Sequence, residues 1–265
     1  MKLLVCIKQV PGGGKAEIDP ETGVIKRDAS DAKMNPYDLY AIEAALRLKE
    51  QYGGTVRVLT MGPPQAENVI REAFSMGADE GALLTDRRFA GSDVLATGMA
   101  LAQAVKALGH FDLLLCGRQT TDGDTAQVGP ELAEHLGIPS AAGILEIQSV
   151  GGGHVTVKMD MPTTVETVRI TLPALLCVEK DVCVPRLPSY VKKKATAQRE
   201  IRVLTLDDFA ERDEALFGLF GSPTNVRRIF PPESTDGREI WQGDADELAE
   251  RLHTALVNGR FVERT

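Results

Sequence analysis

Between Leu3 and Leu136 the chain alternates short apolar runs with stretches whose apolar residues recur every three or four positions. That alternation constrains the fold more than any other feature. Leu3 to Ile7, Val56 to Thr60, Ala82 to Thr85 and Leu113 to Cys116 are nearly continuous apolar runs. Runs of this kind suit strands buried on both faces, as in a parallel sheet. The stretches between them read as helices. Asn35 is placed as the N-cap of the first, with Pro36 at its first position and Asp38 in its first turn. Leu39, Ile42 and Leu46 share one face, and Gly53-Gly54 ends the helix. Further helices are expected from about Gln65 to Met76 and from Asp93 to Leu108. Repeated strand and helix predict an α/β fold with a doubly wound, mostly parallel sheet.

After Ala141 the periodicity changes. Ile144 to Val150 and His154 to Met159 flank Gly151-Gly-Gly153, a hairpin signature. Glu166 to Thr171 and Ala174 to Glu179 extend it, so antiparallel strands are expected at the edge of the same sheet. Residues 1–185 thus read as one α/β domain. In the long polar segment 8–34, Asp19-Pro-Glu-Thr-Gly23 is a turn signal joining two short edge strands. A loop of that length in a compact domain is more often functional than idle. Residues 186–265 differ in character: a possible short helix from Leu206 to Phe217, a break at Phe230-Pro-Pro-Glu233, and an amphipathic helix carrying Leu248, Leu252 and Leu256. A segment like that buries little by itself and is expected to be an extended C-terminal arm lying on another subunit.

The formal charge of −8 argues against a nucleic-acid or membrane-surface binder, which would usually be basic. Cys6, Cys116, Cys177 and Cys183 form no CxxC pair and read as reduced core thiols. His110, His135, His154 and His253 have no metal spacing, and neither G-x-S-x-G nor H-E-x-x-H occurs, which argues against a hydrolase or zinc enzyme. No signal peptide opens the chain and no apolar run approaches the roughly 18 residues of a membrane span, so a cytoplasmic location without membrane insertion is expected.

The stretch with the most chemistry follows the run Leu113 to Cys116. Gly117, Arg118, Gln119, Thr120, Thr121, Asp122, Gly123, Asp124 and Thr125 form a polar loop, and Val128, Leu132 and Leu136 then repeat at helical spacing. A loop from the carboxyl end of a strand into a helix start is where open α/β sheets bind ligands. Asp124 and Gln127 have capping-box spacing, while Pro130 removes an N–H and crowds the carbonyl of Ala126. The first helical turn is therefore expected to be loose or kinked, leaving backbone groups from Thr125 to Gly129 free. Gly123 and Gly129 permit close approach, which suits a nucleotide phosphate. Asp122 and Asp124 can cap the helix, bind a ribose hydroxyl or orient Arg118. The alternative is an ordinary polar loop, because neither G-x-G-x-x-G nor G-x-x-x-x-G-K-[ST] is present.

Cys116-Gly-Arg-Gln-Thr-Thr-Asp-Gly-Asp-Thr-Ala-Gln-Val-Gly-Pro130 resembles the signature of the electron-transfer flavoprotein β subunit. Val5-Cys-Ile-Lys-Gln-Val-Pro11, Asn35-Pro-Tyr-Asp38, Phe74-Ser-Met-Gly-Ala-Asp79 and Leu187-Pro-Ser-Tyr-Val191 with the lysines after it fit the same family, in order along nearly the whole chain. The resemblance implies an adenine-nucleotide-hydrolase-like domain with an arm that wraps an α subunit. It places adenine-nucleotide contacts on Cys6, Asn35, Tyr37, Asp38 and Met61, and along Gly117 to Gly129, including Ala126, Gln127 and Val128. Simple members hold structural AMP there, whereas bifurcating members hold a second FAD that takes a hydride from NADH. The form Asp122-Gly-Asp-Thr-Ala-Gln-Val-Gly129 resembles the bifurcating group and implies FAD. Electrons would pass to an α-subunit FAD and a flavin dehydrogenase, of acyl-CoA or 2-hydroxy-acid type, and to a low-potential ferredoxin or flavodoxin. Arg118 or a backbone N–H is a candidate to stabilise the reduced anionic flavin. Leu187, Pro188 and Tyr190 are implied as the dehydrogenase-docking residues. The chain departs from the family pattern at Gly12-Gly-Gly-Lys15 and at Ala195-Thr-Ala-Gln198. An adenylating enzyme of similar fold lacks support, since no S-G-G-x-D-S or H-x-G-H motif is present.

Overall fold

The computed structural model describes residues 1–12, 17–18, 25–26, 32–226 and 239–262. The chain divides into two compact units, Met1–Arg227 and Arg228–Thr265. In the first, β1 (Lys2–Cys6) lies between β6 (Thr55–Met61) and β8 (Leu113–Gly117), all parallel. The other strands of this sheet are β7 (Glu80–Leu84), β9 (Ser140–Gly151), β10 (His154–Asp160), β11 (Val165–Thr171), β12 (Ala174–Val178) and β13 (Arg202–Leu204). Their order is β11-β10-β9-β12-β8-β1-β6-β7-β13. Two short pairs stand apart from it: β2 (Gln9–Pro11) with β5 (Ala32–Met34), and β3 (Glu17–Ile18) with β4 (Ile25–Lys26). The expected pair of short strands is therefore present, while the turn Asp19 to Gly23 lies outside the described residues.

Alternation along the central strands sorts side chains onto two faces. Leu3, Val5, Leu113 and Leu115 pack with α1 (Pro36–Tyr52) and α2 (Glu67–Met76). Leu4, Leu114 and Cys116 pack on the opposite side with α3 (Val94–Leu108) and α4 (Val128–Leu136). The doubly wound α/β fold is thus as expected, with both faces covered by helices.

Three expectations change. Ala174 to Val178 does not extend the antiparallel hairpin. β12 enters between β8 and β9, parallel to both, and all five of its residues are buried. A strand covered on both faces needs a continuous apolar run, and Ala174-Leu-Leu-Cys-Val178 is one. The α/β unit also extends past residue 185, because β13 pairs with β7 at the sheet edge. Finally, Leu206 to Phe217 is not a helix but two single 3₁₀ turns, Leu206–Asp208 and Glu214–Leu216. Phe209 and Phe217 fasten this segment, each with its ring centroid within 6 Å of the Phe89 ring. In the second unit the expected final helix is present as α6 (Ala245–Asn258), capped by Asp244, with no buried residue. The break at Phe230 to Glu233 lies outside the described residues. Among the described residues, no helix is long and apolar enough to cross a membrane.

Candidate functional site

From β1 the chain moves outward through β6 and β7, then returns to β8 on the other side of β1. Strand order reverses between β1 and β8, and the crevice at the carboxyl ends of such a pair is the ligand position of open α/β sheets. Cys6 and Cys116 are register partners at that edge, and Cys6 also pairs with Leu59, two residues before Met61. The sheet therefore brings Cys6, Met61 and Gly117 together at one edge. The β8–α4 loop rises from Gly117, and Thr121 to Gln127 are exposed.

Its base is nailed down by the start of α1. Asn35 occupies the N-cap position, yet its side chain does not cap the helix. Its Nδ2 donates to Asp38 Oδ1 at 2.8 Å and to the Gln119 carbonyl at 2.9 Å. Its Oδ1 accepts the Thr121 N–H at 3.3 Å. Asp38 Oδ2 accepts the Lys8 N–H at 2.7 Å. Asn35 and Asp38 are both buried, and their hydrogen bonds hold the base of the loop. Burial pushes the Asp38 carboxyl up to about 7 against the pull of its hydrogen bonds from Asn35 and Lys8. Gly117 has no room for a side chain: a Cβ there would lie 2.7 Å from Asp38 Oδ1 and from the Tyr37 carbonyl carbon.

The helix start differs from the expectation. α4 begins at Val128, with Gln127 at the N-cap position and no side-chain cap, so Asp124 is not the cap. Pro130 then lies in the first turn, where its missing N–H costs nothing, and no kink is needed. Thr125 to Gln127 lie ahead of the helix, which leaves its first amides uncapped. Asp124 and Ala126 both have left-handed backbone, φ 54° and 55°. For alanine this costs on the order of 1 kcal/mol, and strain of this kind concentrates at ligand-binding segments. A Cβ on Gly123 would meet only Thr120 Oγ1, at 3.5 Å. Gly129 is the opposite case: it is buried, and a Cβ there would lie 2.3 Å from Cys177 Sγ.

Neither aspartate orients Arg118. Asp122 pairs with Lys8 Nζ at 2.8 Å, and Asp124 accepts from Gln119 Nε2. Arg118 instead pairs with Glu179 at 3.1 Å, with about half of its side chain exposed. Lys8 and Glu179, which pair with residues of the loop, are given no role by motif reasoning. In the sequence Lys8 stands only as one residue of the Val5 to Pro11 stretch. The cysteines are all free thiols; Cys6, Cys116 and Cys177 line one edge of β1, β8 and β12. Hydrogen bonds with Cys177 and Cys6, added to burial, push the Cys116 thiol up, which makes it inert. No cluster of metal-ligating side chains exists among the described residues.

A second feature lies after β12. Leu187 is 88% and Tyr190 78% exposed, and Pro188 is exposed between them. Arg186 anchors their base: its guanidinium bonds buried Glu43 at 2.7 Å and Glu50 at 2.6 Å. Its own N–H also donates to Glu43, at 3.1 Å. Ser189 caps α5 (Tyr190–Ala195), which carries Lys192, Lys193 and Lys194.

The fold and crevice together define a doubly wound α/β protein with an open crevice at the sheet's switch point. The profile described as "Electron transfer flavoprotein domain" matches residues 22–209. The electron transfer flavoprotein subunit beta of Clostridium acetobutylicum is 40% identical over 262 residues, covering 99% of this chain and all of that protein. That of Thermoanaerobacterium thermosaccharolyticum is 42% identical over 264 residues, with the same coverage. Caffeyl-CoA reductase-Etf complex subunit CarD of Acetobacterium woodii is 40% identical, again over 99% of this chain and all of that protein. The chain belongs to the electron-transfer flavoprotein β-subunit family, and it is a subunit that works in electron transfer.

Proposed function

We propose that the chain is the β subunit of a bifurcating electron-transfer flavoprotein, holding FAD at the β1/β8 crevice. The observation that carries this is the Gly123 to Gly129 segment: small, exposed up to Gln127, and leading into an uncapped helix start. Those amides suit a diphosphate, and Gly123, Thr125, Ala126 and Val128 add neither charge nor bulk. The adenine-nucleotide contacts would come from Cys6, Tyr37, Met61 and the loop from Gly117 to Gly129. Asn35 and Asp38 act from beneath, fixing the loop's shape. A flavin bound here would supply hydride acceptance from NADH and division of the pair between the α-subunit FAD and a low-potential ferredoxin or flavodoxin. Arg118, exposed beside the loop and held by Glu179, is the side chain suited to stabilising negative charge on such a ring.

Leu187, Pro188 and Tyr190 would form the contact with a flavin dehydrogenase, as an exposed apolar anchor beside three lysines that steer an acidic partner. A relative named as part of a caffeyl-CoA reductase complex supports a reductase or dehydrogenase of the acyl-CoA type. The second unit, whose helix α6 has no buried residue, would wrap the α subunit. Residues 13–16 lie outside the described residues, so the glycine-rich segment enters only through Gly12.

The test is coupled turnover by the purified αβ complex with its dehydrogenase. NADH should reduce ferredoxin or flavodoxin only while the dehydrogenase is supplied with its electron-accepting substrate. Transfer to the dehydrogenase alone, with AMP in the β site, would instead identify a non-bifurcating carrier.

A further inference from the structure

Lys8 borders the crevice within the Val5 to Pro11 stretch, yet neither the motifs nor the family resemblance give it a role. It follows buried Ile7 just beyond the carboxyl end of β1, beside the switch point. Its backbone is fixed, because its N–H donates to buried Asp38 and its carbonyl accepts the Asn35 N–H at 2.9 Å. The side chain reaches over the β8–α4 loop, where Nζ meets both carboxylate oxygens of Asp122 at 2.9 and 2.8 Å. That ion pair is open to solvent, with 43% of the lysine side chain exposed. A half-exposed pair of this kind is held weakly. The same loop leads to the uncapped start of α4. An anion seated on those amides would meet two adverse charges in the loop, Asp122 and Asp124, and Lys8, already paired with the first, is the loop's cation on the β1 side. The diphosphate of FAD and the monoester phosphate of AMP each carry about two negative charges against one on a carboxylate, and draw a lysine ammonium more strongly.

We propose that Lys8 is a phosphate-binding residue of this site, exchanging its Asp122 partner for a phosphate oxygen when a nucleotide enters. This rests on the nucleotide reading above. Asp122 is then the counter-ion that holds the ammonium between occupants. A plain loop latch would use the same two residues, but the two roles differ in sign. In a latch, removing either partner loosens the site. In an exchange, removing Lys8 weakens binding, whereas neutralising Asp122 removes a competitor.

The αβ complex, stripped of nucleotide, is titrated separately with FAD, AMP and phosphate-free adenosine. Lys8→Met should weaken FAD and AMP at least tenfold, leave adenosine within twofold and flatten the salt dependence. Lys8→Arg should retain most of the affinity. Asp122→Asn should bind FAD and AMP as tightly as the parent or more so. The proposal is overturned if Lys8→Met binds both nucleotides like the parent. Equal losses in Lys8→Met and Asp122→Asn, with no further loss in the double variant, would make the pair a latch and also overturn it. A parent complex that takes up neither FAD nor AMP would refute the nucleotide reading itself. Normal parent binding with an unaffected Lys8→Met refutes only the role of Lys8.

Discussion

Gly129 carries a hydrogen where any side chain would meet Cys177 Sγ, so the first turn of α4 can lie directly on β12. Backbone at that spot has nowhere to retreat without lifting the helix from the sheet. Gly129→Ala should therefore cost about 2 kcal/mol, within the overpacking range, and Cys177→Ala in the same chain should recover much of it. Urea denaturation of the three variants measures this. Asp38 makes a pH prediction. Its folded-state pKa is raised to about 7 from the ordinary 3.8, so the fold favours the protonated form. The stability that this contributes is complete below the ordinary value and is lost as pH rises through about 7. Parent stability should fall from pH 5 to pH 8 relative to Asp38→Asn, and an unchanged difference would contradict the burial argument. Leu187 behaves oppositely. Being 88% exposed, it should tolerate Leu187→Ala within about 0.5 kcal/mol, while affinity for the dehydrogenase falls about tenfold or more. Surface plasmon resonance with thermal melts separates the two effects.

At the scale of elements, the parallel core was legible because each central strand is a continuous apolar run followed by a helical stripe. β12 was misplaced for a specific reason: proximity in sequence to the β9–β10 hairpin outweighed its own composition. Its five buried residues are the better guide, since β11 beside the hairpin shows a largely exposed pattern. β13 was missed because Arg202-Val-Leu204 is only three residues long with a charge at its start, too little to register as a strand, and only the vacant side of β7 makes it one. The segment after it is held by aromatic packing, which leaves no periodic trace in the sequence. Phe209→Ala should accordingly cost about 3 kcal/mol, seen as a lower denaturation midpoint. Asn35, Asp38 and Gly117 stand out in the sequence, but their place under the loop depends on distant contacts, Asn35 with Gln119 being 84 residues apart. Spacing along the chain cannot show such a contact, and the same holds for Lys8 with Asp122 and Arg118 with Glu179.

For the whole molecule, the arrangement follows from one reversal of strand order. It opens a crevice between β1 and β8, and α1 borders it with its N-terminal end while its middle holds Arg186 through Glu43. One helix thus supports both the β8–α4 loop and the base of the exposed Leu187 segment. Glu43→Ala should leave Arg186 without its buried partner and cost about 2 kcal/mol, with faster hydrogen exchange from Val184 to Ser189. The central claim remains that the small-residue loop holds a flavin nucleotide. Denaturing the purified αβ complex and separating the released nucleotides by chromatography tests this most directly. The account predicts two FAD per heterodimer and no AMP; one FAD with one AMP would contradict it.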